Sequence, residues 1–307
     1  MNPPQVPIGG SSQDAGEDYR FSIAGIGIRV DVEGAVFRKE PRRRDFENAD
    51  QTPEIGLRVV SRALQAESSG RLVFDSGMVW KLFDEDGERV FRFFSRLGGD
   101  VPYKELRIGP DYGEGEIVLH EPYDGDGLPD PLEYPLDELL VVHRLGQGLG
   151  VELHCCGIVD EAGRGWIFTG HSGAGKSTLA GLWADRDVTV LSDDRIILRN
   201  IDGAVKMFGT PWHGEAGFAV AAGAPLAGIF VIEHGKGNDI EALEPISAVS
   251  ELMARAFVPF HEPVALETAI DVLGLAAQTL PCCRFRFTPD EFAIDHLKNW
   301  MRTVTDA

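Results

Sequence analysis

The chain has 307 residues, 43% hydrophobic and 25% charged, an ordinary globular balance for about two domains. Its formal charge of -20 speaks against nonspecific binding to nucleic acid or to an anionic membrane surface, both of which need a basic footprint. No apolar run reaches the ~18–20 residues of a membrane helix, and the start MNPPQVPIGGSSQDAGED has neither a basic n-region nor an apolar h-region. The expectation is therefore a cytoplasmic protein with no nucleic-acid or membrane partner.

Residues 1–18, rich in Pro, Gly, Ser and Asp, read as a disordered tail. From Tyr19 to Phe37 the chain alternates apolar and polar residues and carries Gly, which predicts strands. Residues 38–54 read as a long polar loop, and the basic run Arg38-Lys39 and Arg42-Arg43-Arg44 within it as a solvated face around Pro41. Residues 71–120 hold short β-like runs (RLVFDSGMVWKLFD, RVFRFFSRL and GEIVLHEPY) separated by Gly and Asp turns. Residues 19–135 thus form a small β-rich N-terminal domain. The linker is the Pro/Gly/Asp stretch Tyr123–Pro135. Its Asp124, Asp126 and Asp130 do not keep the spacing of an EF-hand loop, so calcium is not expected.

The second domain spans 136–307. Leu136, Leu139, Leu140, Val142 and Leu145 mark one face of a helix with an acidic first turn and Gly beyond its end. Strands follow at VELHCCGIVD and WIFTG, then a loop and helix at GHSGAGKSTLAGLWADR, then a strand at DVTVLSDD. A hairpin is predicted around Asp202-Gly203, then a Gly-rich segment over 209–223 and the strand PLAGIFVIEHG. Helices are predicted over about 248–257 and 264–280, a strand at CCRFRF, and an amphipathic helix from Pro289. Helices alternating with strands make this an α/β domain. The adjacent pairs Cys155-Cys156 and Cys282-Cys283 lie in strands, where neighbours face opposite sides. They are expected to be buried reduced thiols, not a zinc knuckle.

The most specific signal is Gly170-His171-Ser172-Gly173-Ala174-Gly175-Lys176-Ser177, a full match to the P-loop pattern between an apolar strand and a helix. Glycines at 170, 173 and 175 let successive N–H groups turn into one concavity, and the helix N-terminus adds an attraction for anions. The expected ligand is ATP with Mg²⁺. Gly170, Ser172, Gly173, Ala174, Gly175, Lys176, Ser177 and Thr178 cradle the phosphates, Lys176 reaches the β/γ-phosphates, and Ser177 offers its hydroxyl to the metal.

Asp193 and Asp194 follow Lys176 by seventeen and eighteen residues, at the C-terminal end of the next strand, the sheet edge where ligands bind in open α/β sheets. One carboxylate suits Mg²⁺ and the other a general base, and like charges so close are expected to raise one of the two pKa values. Weaker candidates are His154 beside the pair, Glu215 as a metal ligand in the Gly-rich segment, and Arg255 against phosphate charge. Glu233, ending a strand, reads as structural, and His171 carries no assigned role.

A strand bearing His154, then GHSGAGKS, then SDD only seventeen residues past the Lys, resembles the HPr kinase/phosphorylase catalytic domain, a branch of the phosphoenolpyruvate carboxykinase-like P-loop fold. The resemblance covers roughly residues 150–235. It implies an α/β P-loop domain of that type beside the smaller β-rich N-terminal domain, with His154, Asp193, Asp194 and Glu215 around the transferred phosphate and Asp194 as general base. FGTPWHGEAGF stands where the family's downstream signature is expected, and the N-terminal half is unlike the family's. The implied activity is phosphotransfer from ATP to a hydroxyl, a serine of a peptide or small protein, and the family also makes a homo-oligomer an expectation. The alternatives are a non-catalytic nucleotide-binding regulatory or scaffold protein, and a small-molecule kinase.

Overall fold

The computed structural model describes residues 18–32, 37–77, 79–95, 99–121 and 130–305. The expected tail up to residue 17 lies outside them, as do residues 123–129 of the expected linker with Asp124 and Asp126.

Eight strands make the first sheet: β1 (Asp18–Ile23), β2 (Ile26–Val32), β3 (Pro53–Arg62), β4 (Arg71–Asp75), β5 (Trp80–Glu85), β6 (Glu88–Phe93), β7 (Lys104–Ile108) and β8 (Glu114–His120). Their order is β1-β2-β3-β8-β7-β6-β5-β4. Strand β3 runs parallel to both β2 and β8, and the other neighbours are antiparallel. Period-two alternation orients the strands: Ile26, Ile28, Val30 and Val32 of β2 and Ile55, Leu57 and Val59 of β3 are buried in one core. The predicted loop over 38–54 thus gives way at Pro53 to the strand that joins the two halves of the sheet.

The helix α1 (Leu136–Leu145) lays Leu136, Leu140, Val141 and Leu145 into that same core. Below its N-terminus lies a buried ionic cluster that corrects the reading of the basic run as fully solvated. Arg43, 3% exposed, pairs with Asp130 and, at 2.8 Å, with Asp137, and donates to the Leu132 carbonyl at 2.9 Å. Tyr19 donates its hydroxyl to Asp130 at 2.9 Å. A guanidinium can satisfy two carboxylates and a carbonyl at once because its donors form a planar fork.

The second sheet contains β9 (Val151–Val159), β10 (Gly165–Thr169), β11 (Thr189–Ser192), β12 (Arg195–Ile201), β13 (Ala204–Gly209), β14 (Gly223–His234), β15 (Asp239–Ala242), β16 (Ala256–Phe257) and β17 (Cys282–Phe287). Strands β9 and β14 change partners along their length. β9 pairs β12 near its start and β10 and β11 near its end, and β14 pairs first β13, then β10 and β17. The β12–β13 turn has Asp202 and Gly203 both at positive φ, as a two-residue hairpin requires. Helices α3 (Pro245–Met253) and α4 (Pro263–Thr279) cover one face, and α2 (Lys176–Ala184) and α5 (Glu291–Thr305) the other. The cysteine pairs obey strand alternation: Cys155 and Cys282 enter one core, Cys156 and Cys283 the other, and all four are free and buried.

The chain is therefore a mixed α/β protein with two sheets. Contacts between the halves are polar as well as apolar: Arg89 and Tyr112 of the first both bind Glu262, at 2.8 and 2.9 Å, and Arg199 donates to the Ala24 carbonyl at 2.6 Å. Among the described residues no helix is long and apolar enough to cross a membrane.

Removing Arg43 leaves Asp130 and Asp137 buried without their cation. Arg43→Met is expected to cost about 3–5 kcal/mol, read as a lowered midpoint in urea unfolding. A midpoint equal to the parent's would show that the cluster carries no net stabilisation.

Candidate active site

Strand register assembles the site. Thr169, the last residue of β10, pairs with Cys155, and the preceding residue of β9, His154, pairs with Arg195 at the start of β12. Gly170 continues from Thr169 and Asp194 precedes Arg195, so the loop, the imidazole and the acidic pair emerge at one sheet edge. Thr169 ties the strands further by donating its hydroxyl to the His154 carbonyl at 3.1 Å.

The loop between β10 and α2 has Gly173 at φ +80° and Gly175 at φ +99°, the left-handed region that glycine enters without strain. A Cβ at Gly175 would also meet the Phe287 ring at 3.0 Å. Gly175 caps α2 without any side-chain hydrogen bond. Among the described residues, the N–H groups of Ser172, Gly173, Gly175, Lys176, Ser177 and Thr178 meet no protein acceptor, while Ala174 donates to the His171 carbonyl and Leu179 to that of Gly175. Ser172, Ser177 and Thr178 are exposed and Ala174 is buried. The result is an open run of donors at a helix N-terminus, suited to an anion.

Lys176 is 7% exposed and folds back into the loop, donating to the carbonyls of Gly170 at 3.0 Å and His171 at 3.3 Å. Burial is the main cause that lowers its pKa, with Arg255 and Arg195 in the same direction and Asp194 opposing. The loop is held from two sides. His234 meets the Gly173 carbonyl at 2.7 Å, and Arg255 places Nη2 3.2 Å from Nε2 of His171. Arg255, in the turn after α3 and not within a helix, reaches the loop held by Glu251 at 2.7 Å, and its own carbonyl accepts from the His154 N–H. His171, to which the sequence assigns nothing, is the loop's contact with the turn that follows α3.

The two adjacent aspartates diverge. Asp193 is 1% exposed and turns into the Gly-rich segment, where Oδ1 accepts from Gly214 at 3.1 Å and Phe218 at 3.2 Å, and Oδ2 from Ala216 at 3.0 Å. Gly214 is needed there, since a Cβ would stand 2.6 Å from Asp193 Oδ2. Asp194 turns the other way, to Arg195 and to His154, whose Nδ1 lies 3.0 Å from its Oδ1. The two carboxylates therefore point apart and do not share a site, and Asp194 shifts downward, not upward. Burial alone favours the neutral form of Asp194, but the His154 hydrogen bond and the charges of Arg195, His154 and Lys176 outweigh it, and its pKa is lowered.

Arg195 is the residue the motif reading passed over. Its Nε lies 2.9 Å from Glu138 of α1 and 3.4 Å from Glu152 of β9, and Nη1 meets Asp194 and, at 3.0 Å, His154 Nδ1. Its guanidinium lies 4.3 Å over the Phe257 ring. Burial opposes its charge, yet Glu138, Asp194 and Glu152 together raise its pKa. Glu152 is fully buried, neither of its oxygens has a hydrogen-bond partner among the described residues, and burial, then the Glu138 charge, push its pKa well up. The one signal in sequence is position: Arg195 directly follows the acidic pair.

Glu215 is exposed on the turn that Asp193 clamps, and Glu233 pairs with Arg284 at 3.0 Å, a structural use. Among the described residues no group of three or more His, Cys, Asp or Glu is placed to hold a metal ion. Ser177 at the start of α2 remains a donor for a metal carried in by phosphates, the usual mode for Mg²⁺, which keeps its waters and takes few protein ligands.

No family model matches the chain, and no curated protein matches it. Among solved structures, the Hpr(Ser) kinase/phosphatase from Coxiella burnetii is similar over 51% of this chain and 99% of its own, with 12% identity and a TM-score of 0.32. That is a distant likeness of fold.

The lowered pKa of Asp194 has a consequence for acid stability. Its folded value lies below its unfolded one, so its contribution is complete above the unfolded value of about 4 and is lost as pH falls through the folded one. Asp194→Asn is expected to flatten this part of the acid limb in urea unfolding between neutral pH and about pH 3. An unchanged limb would show that the pairing contributes nothing.

Proposed function

We propose that the chain transfers the γ-phosphate of ATP to a hydroxyl, a serine of a peptide or small protein. The observation that carries this reading is the common sheet edge, where an uncapped donor run with Lys176 inside it stands beside an ionised carboxylate, Asp194. A fold of the HPr kinase and phosphoenolpyruvate carboxykinase type is the architecture this proposal implies.

The residues divide the work by chemistry. The free N–H groups from Ser172 to Thr178 take phosphate oxygens, and Lys176 exchanges its two carbonyl partners for the β/γ-phosphates, charge for dipole. Ser177 supplies a hydroxyl to Mg²⁺, which when bound neutralises developing phosphate charge. Asp194 orients the acceptor hydroxyl and takes its proton as the hydroxyl oxygen bonds to the γ-phosphorus. The bond from that phosphorus to the β–γ bridging oxygen breaks and ADP leaves. A carboxylate of low pKa suffices because phosphoryl transfer passes through a loose transition state, in which positioning matters more than base strength. Arg195 and His154 hold the carboxylate in place and keep it charged. Asp193 shapes the site through the 214–218 turn and carries Glu215 on it.

One observation favours a second reading, a nucleotide-gated binding module without catalysis: both Arg195 and His154 already engage Asp194. The two readings separate in one assay. Under phosphotransfer, Asp194→Asn retains ATP binding and loses transfer by about 10²-fold or more, whereas Lys176→Ala loses both. Transfer that survives Asp194→Asn rules out the base assignment. Tight ATP binding by the parent chain, with no transfer to any hydroxyl tried, selects the module.

A further inference from the structure

A cavity of about 250 Å³ opens beside the candidate site, at the junction of the two halves. Phe74 and Trp80 line it from the first sheet, Leu139 and Val142 from α1, and Phe257 and Phe260 from the stretch between α3 and α4. It is joined to the site through shared residues. Glu138 and Phe257 form part of its wall, and both also hold the Arg195 guanidinium, at 2.9 and 4.3 Å. The other end of that guanidinium holds Asp194. One planar group therefore separates the cavity wall from the carboxylate.

Most polar groups of the wall are already used. Glu138 is paired with Arg195, His143 Nδ1 lies 2.7 Å from the Leu139 carbonyl, and the Nε2 atoms of His143 and His261 face each other at 3.2 Å. Burial pushes His143 down to about 4 and lowers His261, so neither brings charge near neutral pH. What remains to an incoming group is aromatic and aliphatic surface. The rim is open, since Phe260 is 67% and Phe74 42% exposed. Size fits a single ring: an apolar cavity of about 150 Å³ is enough to take benzene.

We infer that this cavity is the specificity pocket of the acceptor, taking one aromatic or branched aliphatic side chain of a peptide whose serine lies at Asp194. The inference rests on the phosphotransfer reading for the serine, but not for the apolar group. The wall discriminates by what it lacks: a charged or amide side chain entering it loses its water and meets few free partners.

The test uses the full chain and a peptide library with a single serine and randomised flanking positions. Retention on the immobilised chain is expected to enrich Phe, Trp, Tyr or Leu at one flanking position. That enrichment is expected to disappear both in Phe260→Ala, which removes an exposed ring with little consequence for folding, and in Val142→Trp, which fills the cavity. The best peptide is expected to exceed its Ala-substituted counterpart about tenfold in kcat/KM, with the ratio approaching one in both variants. No apolar enrichment, or enrichment that survives both variants, overturns the pocket. Turnover of free aromatic alcohols in preference to every peptide overturns the peptide assignment. Apolar enrichment without phosphate transfer leaves the pocket standing and removes the kinase reading, and transfer without apolar preference does the reverse.

Discussion

The Arg195 guanidinium lies where five groups from four parts of the chain converge: Asp194 beside it, His154 and Glu152 on β9, Glu138 on α1 and the Phe257 ring on β16. A planar cation with donors on two edges and two open faces is suited to this, and an ammonium is not. The helix α1 belongs to the core of the first sheet, so its tie to Arg195 fixes that half against the edge of the second. The arrangement holds only while the guanidinium stays charged, and the carboxylates of Glu138 and Asp194 hold it so. The buried Glu152 bears the cost, with burial and the Glu138 charge favouring its protonated form.

The local electrostatics run against the whole-chain charge of -20. At the sheet edge stand Lys176, Arg195, Arg255 and two histidines, yet the arginines are already partnered by Asp194, Glu138 and Glu251. Among the described residues Lys176 makes no ion pair and is held by carbonyl oxygens only. A polyanion entering here meets one available ammonium and a run of N–H dipoles, with the arginines behind as fixed charge. Such an arrangement suits an anion through directed donors in a partly dry loop, and does not depend on a basic surface. The acidic exterior is no obstacle, because exposed charges more than about 10 Å away are largely screened by salt.

How much of this was legible beforehand followed from the range of the interactions. The loop from Gly170 to Ser177 could be read directly, because its glycines, lysine and hydroxyl act through the backbone of eight consecutive residues. The edge position of Asp193 and Asp194 was legible for the same reason, one strand away. Their opposite destinations were not. Asp193 is claimed by N–H groups more than twenty residues on, and Asp194 by a histidine forty residues back. Arg43 looked like part of a solvated basic run, and its partners Asp130 and Asp137 lie roughly ninety residues away.

By itself the sequence determined the strand alternation, the hairpin at Asp202-Gly203, the cysteines on opposite faces and a donor-rich loop at a helix start. Each is a matter of backbone geometry written in adjacent residues. Only the tertiary structure decided that Arg195 ties Asp194 to both halves, that Asp194 is held low and not raised, and that an apolar cavity adjoins it. Those depend on strand register and on α1 packing beneath another sheet, which set distances between side chains that no local pattern encodes.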